Sequence, residues 1–257
     1  MQYRSMQYRQ ILAALVLATS LGACSPATPV GTLGDRVVGE CNAPADPSRR
    51  QFIVGYGSLM QDESRTRTSP RAGPAHPVEL RGYRRGWFAR SETAGPGTTY
   101  LGVLPVREGM LNAVIYEVDP AELLATDRRE LSYCRAAVAP ADITVLEHGF
   151  SPPANAQAWI YVDQPAGTAA PDSRHPIVQS YVDIFVSGCL EQEQRFGLTG
   201  FAEHCLATTV DWSGHWVNDR IYPRRPFVFQ PKARQIDDLL SRQLPSYFSR
   251  IRIEPAG

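Results

Sequence analysis

The chain has 257 residues, with 26 Lys and Arg against 26 Asp and Glu, so its formal net charge is zero. The sequence contains no polybasic run, which argues against a nucleic-acid partner. With 43% hydrophobic residues, the chain can form one well-filled globular domain with additions.

The first residues are typical of an export signal. Arg4 and Arg9 precede an apolar run over 11–21, and small residues follow it. The run is about eleven residues long, shorter than the roughly 20 residues of a membrane-spanning helix. Residues 1–23 are therefore predicted to be a signal peptide rather than a permanent transmembrane helix.

Residues 21–24, Leu-Gly-Ala-Cys, resemble the lipobox, the site where bacterial lipoproteins are cut and acylated on the cysteine, here Cys24. Acyl chains contribute about 0.8 kcal/mol per buried methylene, so several chains would anchor the protein to a membrane. Ser25 follows, rather than Asp, which by the same resemblance favours the outer membrane, facing the periplasm. The alternatives are a simple secretory signal and a start at Met6, which repeats the first four residues.

Residues 24–50 are rich in Pro, Ala, Gly and Asp without a hydrophobic period, and are predicted to form a flexible tether. Besides Cys24, the cysteines are Cys41, Cys134, Cys189 and Cys205. An even number in an oxidising compartment permits two disulfides with three connectivities. A Cys189–Cys205 bridge is favoured because the two are close in sequence, with buried thiols as the alternative.

The pattern from Gln51 onward alternates strands with one early helix and ends in helices. Strands are predicted over 52–54, 78–88, 99–106, 111–118, 133–138 and 158–162, with a turn at 107–109. Asp119-Pro120-Ala121-Glu122 predicts a capped helix that ends near Leu131. Further helices are predicted over 177–196 and 233–244.

This order of elements favours an α+β fold over a parallel βαβ array. Short connections between the strands predict a mainly antiparallel sheet that can close on itself. We expect residues 51–163 to form one domain and residues 164–257 a helical C-terminal extension packed on it.

A glycine-flanked loop, Gly55-Tyr56-Gly57-Ser58-Leu59-Met60, follows the first predicted strand. Glycine permits a sharp turn and a close approach of a ligand. Successive amides in such a turn can bind an anion such as a carboxylate. The alternative is an ordinary turn with Tyr56 in the core. The loop is not the Gly-x-Ser-x-Gly elbow of hydrolases, because the last glycine is missing.

Glu130 is the second candidate. Leu123, Asp127 and Glu130 fall within a narrow arc of the predicted helix, on the face that Leu123 and Leu124 assign to the core. A buried carboxylate is costly without a partner, and burial raises its pKa towards the range of a general base. The alternative is a structural salt bridge to a nearby arginine, Arg128, Arg129 or Arg135.

Four blocks in order, 52–60, 80–88, 112–118 and 127–135, resemble the gamma-glutamylcyclotransferase-like family. Its members share a Tyr-Gly-Ser-Leu type loop, a Gly-Tyr-x-x-x-Phe type strand, and a helix-borne Asp-x-x-Glu followed by Tyr and Arg. The resemblance covers about residues 51–162. It departs from the family at Ala125-Thr126, where a Leu is expected before Asp127, and at Leu131, where many members have Gly.

The resemblance implies a small, mostly antiparallel β-barrel with flanking helices. It implies that the loop of Tyr56, Gly57, Ser58 and Leu59 binds the α-carboxylate of a gamma-glutamyl group through its amides. Glu130 would be the general base for attack of the α-amine on the γ-carbonyl, which releases 5-oxoproline and an amine, amino acid or peptide. No metal or cofactor is implied.

Two other readings stay open. The chain can be a non-catalytic envelope lipoprotein that binds a small acidic or gamma-glutamyl ligand in the same pocket, or a scaffold built on the C-terminal helices. The oligomeric state is not indicated. His204-Cys205 and the segment 211–216 match no zinc-binding spacing, so structural roles are expected there. A solvated strand face is favoured for the arginines of the second predicted strand, Arg81, Arg84 and Arg85.

Overall fold

The computed structural model describes residues 41–91, 97–130, 132–164, 167–225 and 231–254. The predicted signal peptide, Cys24 and the tether up to residue 40 lie outside these ranges. Within the described ranges, no helix has the length and apolar character needed to cross a bilayer. The last ten residues of the predicted tether contact the domain, since the N–H of Asn42 donates to the carbonyl of Arg135 at 2.9 Å.

The strands are β1 (Gln51–Gly55), β2 (His76–Ser91), β3 (Thr98–Val118), β4 (Tyr133–Val138), β5 (Ile143–Val145), β6 (Gln157–Asp163), β7 (Ile177–Val178), β8 (Thr209–Val210), β9 (Trp216–Asn218) and β10 (Arg252–Ile253). The helices are α1 (Asp62–Thr68), α2 (Pro120–Arg129), α3 (Gln179–Phe196), α4 (Phe201–Ala207), α5 (Ala233–Gln243) and α6 (Pro245–Phe248), with 3₁₀ turns at Ser58–Met60 and Pro140–Asp142. The predicted α+β class is confirmed.

The main sheet has the order β4-β6-β1-β3-β2-β5, and β8 pairs with β2 outside this path. It is mixed, because β1 runs parallel to β6 and β2 parallel to β8. Among the described strands no pairing joins β4 to β5, so the sheet is open. The predicted mostly antiparallel, closed barrel is therefore wrong. Local sequence shows the short connections, but it does not show that β6 returns beside β1 in parallel after a long excursion.

The β2–β3 hairpin also differs from the prediction. The expected strands 99–106 and 111–118 are one strand, and the expected turn between them is a bulge. The register passes from Arg81 opposite Met110 to Tyr83 opposite Pro105. Gly82, with φ of 81°, lies at this bulge and bends the hairpin.

Helix α2 begins with the predicted capping box. The carboxylate of Asp119 accepts from the N–H of Glu122 at 2.9 Å, and Glu122 reaches back to the N–H of Asp119. The last helical residue is Arg129, and Glu130 is the C-cap, with its N–H donating to the carbonyl of Thr126. Leu124 is 56% exposed, so its predicted core position is wrong.

Both faces of β1 are covered. Ile53 packs into a cluster that includes α3 and the C-terminal helices, while Phe52 and Val54 pack into a second cluster on the other face of the sheet. Disulfides join Cys41 to Cys134 and Cys189 to Cys205. The second one links α3 to α4 and fixes the C-terminal helices beside the sheet.

Candidate functional site

A cavity of about 460 Å³ lies where the loop after β1, the end of α2, the end of β6 and the start of α3 meet. Its wall is polar and aromatic. The residues that matter for its chemistry are Ser58, Arg129, Glu130, Asp163, Tyr181 and Arg225. Two predicted site residues, Ser58 and Glu130, are thus brought to one cavity.

The four predicted loop residues are placed differently. Ser58 lines the cavity, whereas Tyr56 and Leu59 are buried at 8% exposure each. The hydroxyl of Tyr56 donates to the carbonyl of Tyr161 at 2.6 Å, which holds the loop on β6. Leu59 packs into the core. The loop therefore faces the cavity through Ser58.

Gly57 has a steric role. A Cβ at this position would lie 2.9 Å from the hydroxyl oxygen of Tyr181. The same hydroxyl is hydrogen-bonded to the backbone of Ser58, and burial raises the pKa of Tyr181 to about 12, against the opposing charge of Arg225. A larger residue at this position would therefore have to displace the Tyr181 hydroxyl or the loop.

Glu130 lies in the cavity wall with its side chain 17% exposed. Burial raises the pKa of its carboxyl above the ordinary value, and the charges of Arg129 and Arg225 oppose this shift. The salt bridge considered as an alternative exists, because Arg129 Nε lies 3.1 Å from Glu130 Oε1. Arg135 is instead paired with Asp127, at 2.8 Å. Glu130 therefore combines a raised pKa with an adjacent cation.

Arg129 connects three parts of the site. Its Nη2 donates to Ser58 Oγ at 3.0 Å, and its Nη1 donates to Thr68 Oγ1 at 2.8 Å and to the carbonyl of Ser64 at 3.0 Å. One guanidinium thus fixes the loop after β1, helix α1 and the carboxylate of Glu130 relative to one another.

Asp163 is a second buried carboxyl in the cavity that the sequence interpretation missed. Its Oδ2 accepts from the N–H of Val103 at 2.8 Å and would lie 2.0 Å from a Cβ on Gly102. Burial raises the pKa of Asp163 to about 7, the Val103 amide lowers it, and the charge of Glu130 raises it further. The sequence feature that could have identified Asp163 is its place at the end of a buried strand, one residue after the predicted strand 158–162.

Arg85 lies under the loop after β1 and is fully buried. It donates to the carbonyls of Tyr56 at 2.9 Å, Asn112 at 2.9 Å and Cys205 at 2.8 Å. Burial lowers its pKa to about 9. The expected solvated face is wrong at this position, because β8 pairs alongside β2 and α4 covers it.

The His204-Cys205 pair and the segment 211–216, for which structural roles were expected, contribute residues to the core. Cys205 is in a disulfide, and Trp212 and Trp216 are buried and stacked with ring centroids 5.2 Å apart. Among the described residues, no group of His, Cys, Asp and Glu has the arrangement of a metal site.

No family model and no curated protein matches the sequence. Among solved structures, the chain is similar to a gamma-glutamyl cyclotransferase, with 12% identity and a TM-score of 0.47 over 76% of this chain and 99% of that one. It is also similar to a gamma-glutamyl cyclotransferase specific to glutathione from yeast, with 11% identity and a TM-score of 0.36 over 62% and 97% of the two chains. An AIG2-like protein from Mus musculus aligns at 22% identity and a TM-score of 0.32 over 50% and 92%.

Proposed function

We propose that the protein is a gamma-glutamyl cyclotransferase that releases 5-oxoproline from a gamma-glutamyl amino acid, peptide or amine. The observation that carries this proposal is the position of Glu130, a partly buried carboxyl of raised pKa in the same cavity wall as Ser58 and Arg129. A carboxyl in such a setting suits proton abstraction near neutral pH.

The substrate is proposed to lie with its α-carboxylate against Ser58 and Arg129. A guanidinium and a hydroxyl form charge-assisted hydrogen bonds with a carboxylate. Ser58 lies within 3.0 Å of Arg129 Nη2, so a carboxylate that accepts from the Ser58 hydroxyl would lie beside the positive charge of the guanidinium. Tyr56, Gly57 and Leu59 support this contact by holding the loop, Tyr56 through its bond to Tyr161.

Glu130 then takes a proton from the α-ammonium group. The free amine attacks the γ-carbonyl carbon, a ring C–N bond forms, and the original amide C–N bond breaks. The proton passes from Glu130 to the leaving nitrogen, and a second proton moves from the ring nitrogen to the released amine, which leaves as an ammonium group, so no water is consumed. Because the attack is intramolecular, the protein mainly supplies orientation and proton transfer.

Membrane anchoring at Cys24 and a position at the outer membrane, facing the periplasm, are part of the same proposal. The two disulfides support export, because disulfides persist in oxidising compartments. Metabolic labelling with a fatty-acid analogue should label the parent protein and leave Cys24→Ser unlabelled. A parent protein that takes up no label would oppose lipid anchoring.

The direct test is 5-oxoproline release from a panel of gamma-glutamyl compounds. Glu130→Gln should lower the rate by about 100-fold or more, since general-base catalysis contributes about 10²–10⁴-fold. Glu108→Gln, on an exposed part of β3, is the matched control and should keep the parental rate. Folded protein without turnover on any compound would favour the binding-protein alternative.

A further inference from the structure

Arg225 is a cavity residue from the part of the chain that follows β9. Its guanidinium carbon lies 4.5 Å from the ring centroid of Tyr100 and 5.9 Å from that of Tyr181. A guanidinium stacked on aromatic rings keeps its planar fork of N–H donors suited to a carboxylate. This part of the cavity therefore has the chemistry of an anion subsite.

The position of Arg225 is fixed by its neighbours. The buried carboxylate of Asp219 accepts from the N–H of Ser180 at 2.7 Å and from the N–H of Arg224 at 2.8 Å. Asp219 thereby joins the residue before Tyr181 to the residue before Arg225. Arg224 also donates to the carbonyl of Gly97 at 2.6 Å. The stacking of Arg225 on Tyr181 is thus preorganised rather than a contact between two loose side chains.

Tyr181 also sets the spacing between Arg225 and the loop after β1. Its hydroxyl lies against Gly57 and Ser58, while its ring lies under Arg225. Arg129 therefore lies near the hydroxyl end of Tyr181, through its contact with Ser58, and Arg225 lies over the ring of Tyr181. A ligand with an anionic group at each end fits this arrangement.

We propose that Arg225 is a specificity-determining residue that binds a carboxylate on the leaving group. The preferred substrates would then be gamma-glutamyl amino acids or short gamma-glutamyl peptides, and gamma-glutamyl amines would be poor ones. This inference rests on the proposed function. The bonds made and broken in the cyclisation are unchanged, because Arg225 contacts only the portion of the substrate that leaves.

The test uses two ligands that differ only by this carboxylate, gamma-glutamylalanine and gamma-glutamylethylamide. Their dissociation constants are measured by calorimetry on the Glu130→Gln protein, which should bind without turnover, and their kcat/KM values on the parent protein. We expect gamma-glutamylalanine to be favoured by about 10- to 100-fold in both measurements, the range for a charge-assisted hydrogen-bonded pair. Arg225→Gln should remove this preference, and Arg225→Lys should keep part of it.

Arg128→Gln is the matched control, because it removes the same charge from an exposed position on α2 and should keep the preference. Equal binding of the two ligands, or a preference that survives Arg225→Gln in a normally folded protein, would overturn the inference. The proposed function would still stand if the parent protein turns the ligands over. If neither ligand binds and neither is turned over, both the inference about Arg225 and the proposed function are overturned.

Discussion

Arg129 and Glu130 meet in the cavity wall, with Nε of the first residue 3.1 Å from Oε1 of the second. Adjacent residues of a continuous helix point in different directions. Here the contact forms because α2 ends at Arg129, and Glu130 departs from helical geometry with φ of −99° and ψ of 37°. The end of one helix therefore brings the proposed base and its counter-ion together.

This pair predicts a shift in the pH dependence of the reaction. The charge of Arg129 lowers the pKa of Glu130, so Arg129→Gln should raise that pKa. A general base acts when deprotonated, so the acidic limb of the kcat/KM profile should move to higher pH. Arg129→Lys should shift the limb less, but it should raise KM because it loses the fork to Ser58 and Thr68. Arg128→Gln serves as the control, and an unmoved acidic limb in Arg129→Gln would contradict the assignment of Glu130.

A second prediction concerns the contact between Gly57 and Tyr181. An alanine Cβ would lie 2.9 Å from the tyrosine hydroxyl, so Gly57→Ala should displace the loop and lower kcat/KM by about tenfold or more. Tyr181→Phe removes the clashing oxygen and should restore part of the loss when combined with Gly57→Ala. The double-mutant cycle measures this coupling. Gly214→Ala is the control, because its Cβ would be at an ordinary 3.6 Å from Arg250, and strictly additive effects would rule out the contact.

A third prediction concerns the stability supplied by Arg85. Arg85→Met removes a buried charge, which is favourable, but leaves the carbonyls of Tyr56, Asn112 and Cys205 without this donor. An unsatisfied buried group costs about 1–3 kcal/mol, so the loss of several donors outweighs the relief and the free energy of unfolding should fall by about 2–5 kcal/mol. Urea denaturation under non-reducing conditions measures it. Arg81→Met, on the exposed part of β2, should change stability little, and equal effects of the two changes would refute the role of Arg85.

The sequence was informative where the signal was local. The capping box at Asp119 and Glu122, the strand before Gly55 and the candidate Glu130 depend on residues within one turn or strand. Arg85, Tyr181 and Arg225 could not be placed in this way, because their surroundings come from segments roughly 100 residues away. Periodicity also failed at Gly82, where a bulge changes the alternation of β2.

The open, mixed sheet escaped the sequence for the same reason. The segments predicted as strands before residue 163 are all extended, two of them joined in β3, but the parallel pairing of β1 with β6 depends on how the intervening hairpin and α2 pack. Asp163 lies one residue after the end of the predicted strand. Its place in the site depends on the contact of the end of β6 with Gly102 and the cavity, which local sequence does not show.

A last prediction concerns Asp163 and the pH dependence of stability. Its pKa is about 7 in the folded protein, against an ordinary value of 3.8. Between these two values the folded state binds a proton that the unfolded state has lost, so this group makes the folded state progressively less stable as pH rises from about 4 to about 7. Asp163→Asn keeps an oxygen that can accept from Val103 and cannot ionise.

The free energies of unfolding of the parent and Asp163→Asn proteins, measured by thermal unfolding, should therefore differ little near pH 4. The variant should become more stable than the parent as pH rises to about 7, and the difference should stay constant above that pH. Glu130 also has a raised pKa and titrates in both proteins, so the difference between the two curves reports Asp163 together with its interaction with Glu130. A difference between Asp163→Asn and the parent that stays constant with pH would mean that Asp163 is already ionised in the acid range and would contradict its raised pKa.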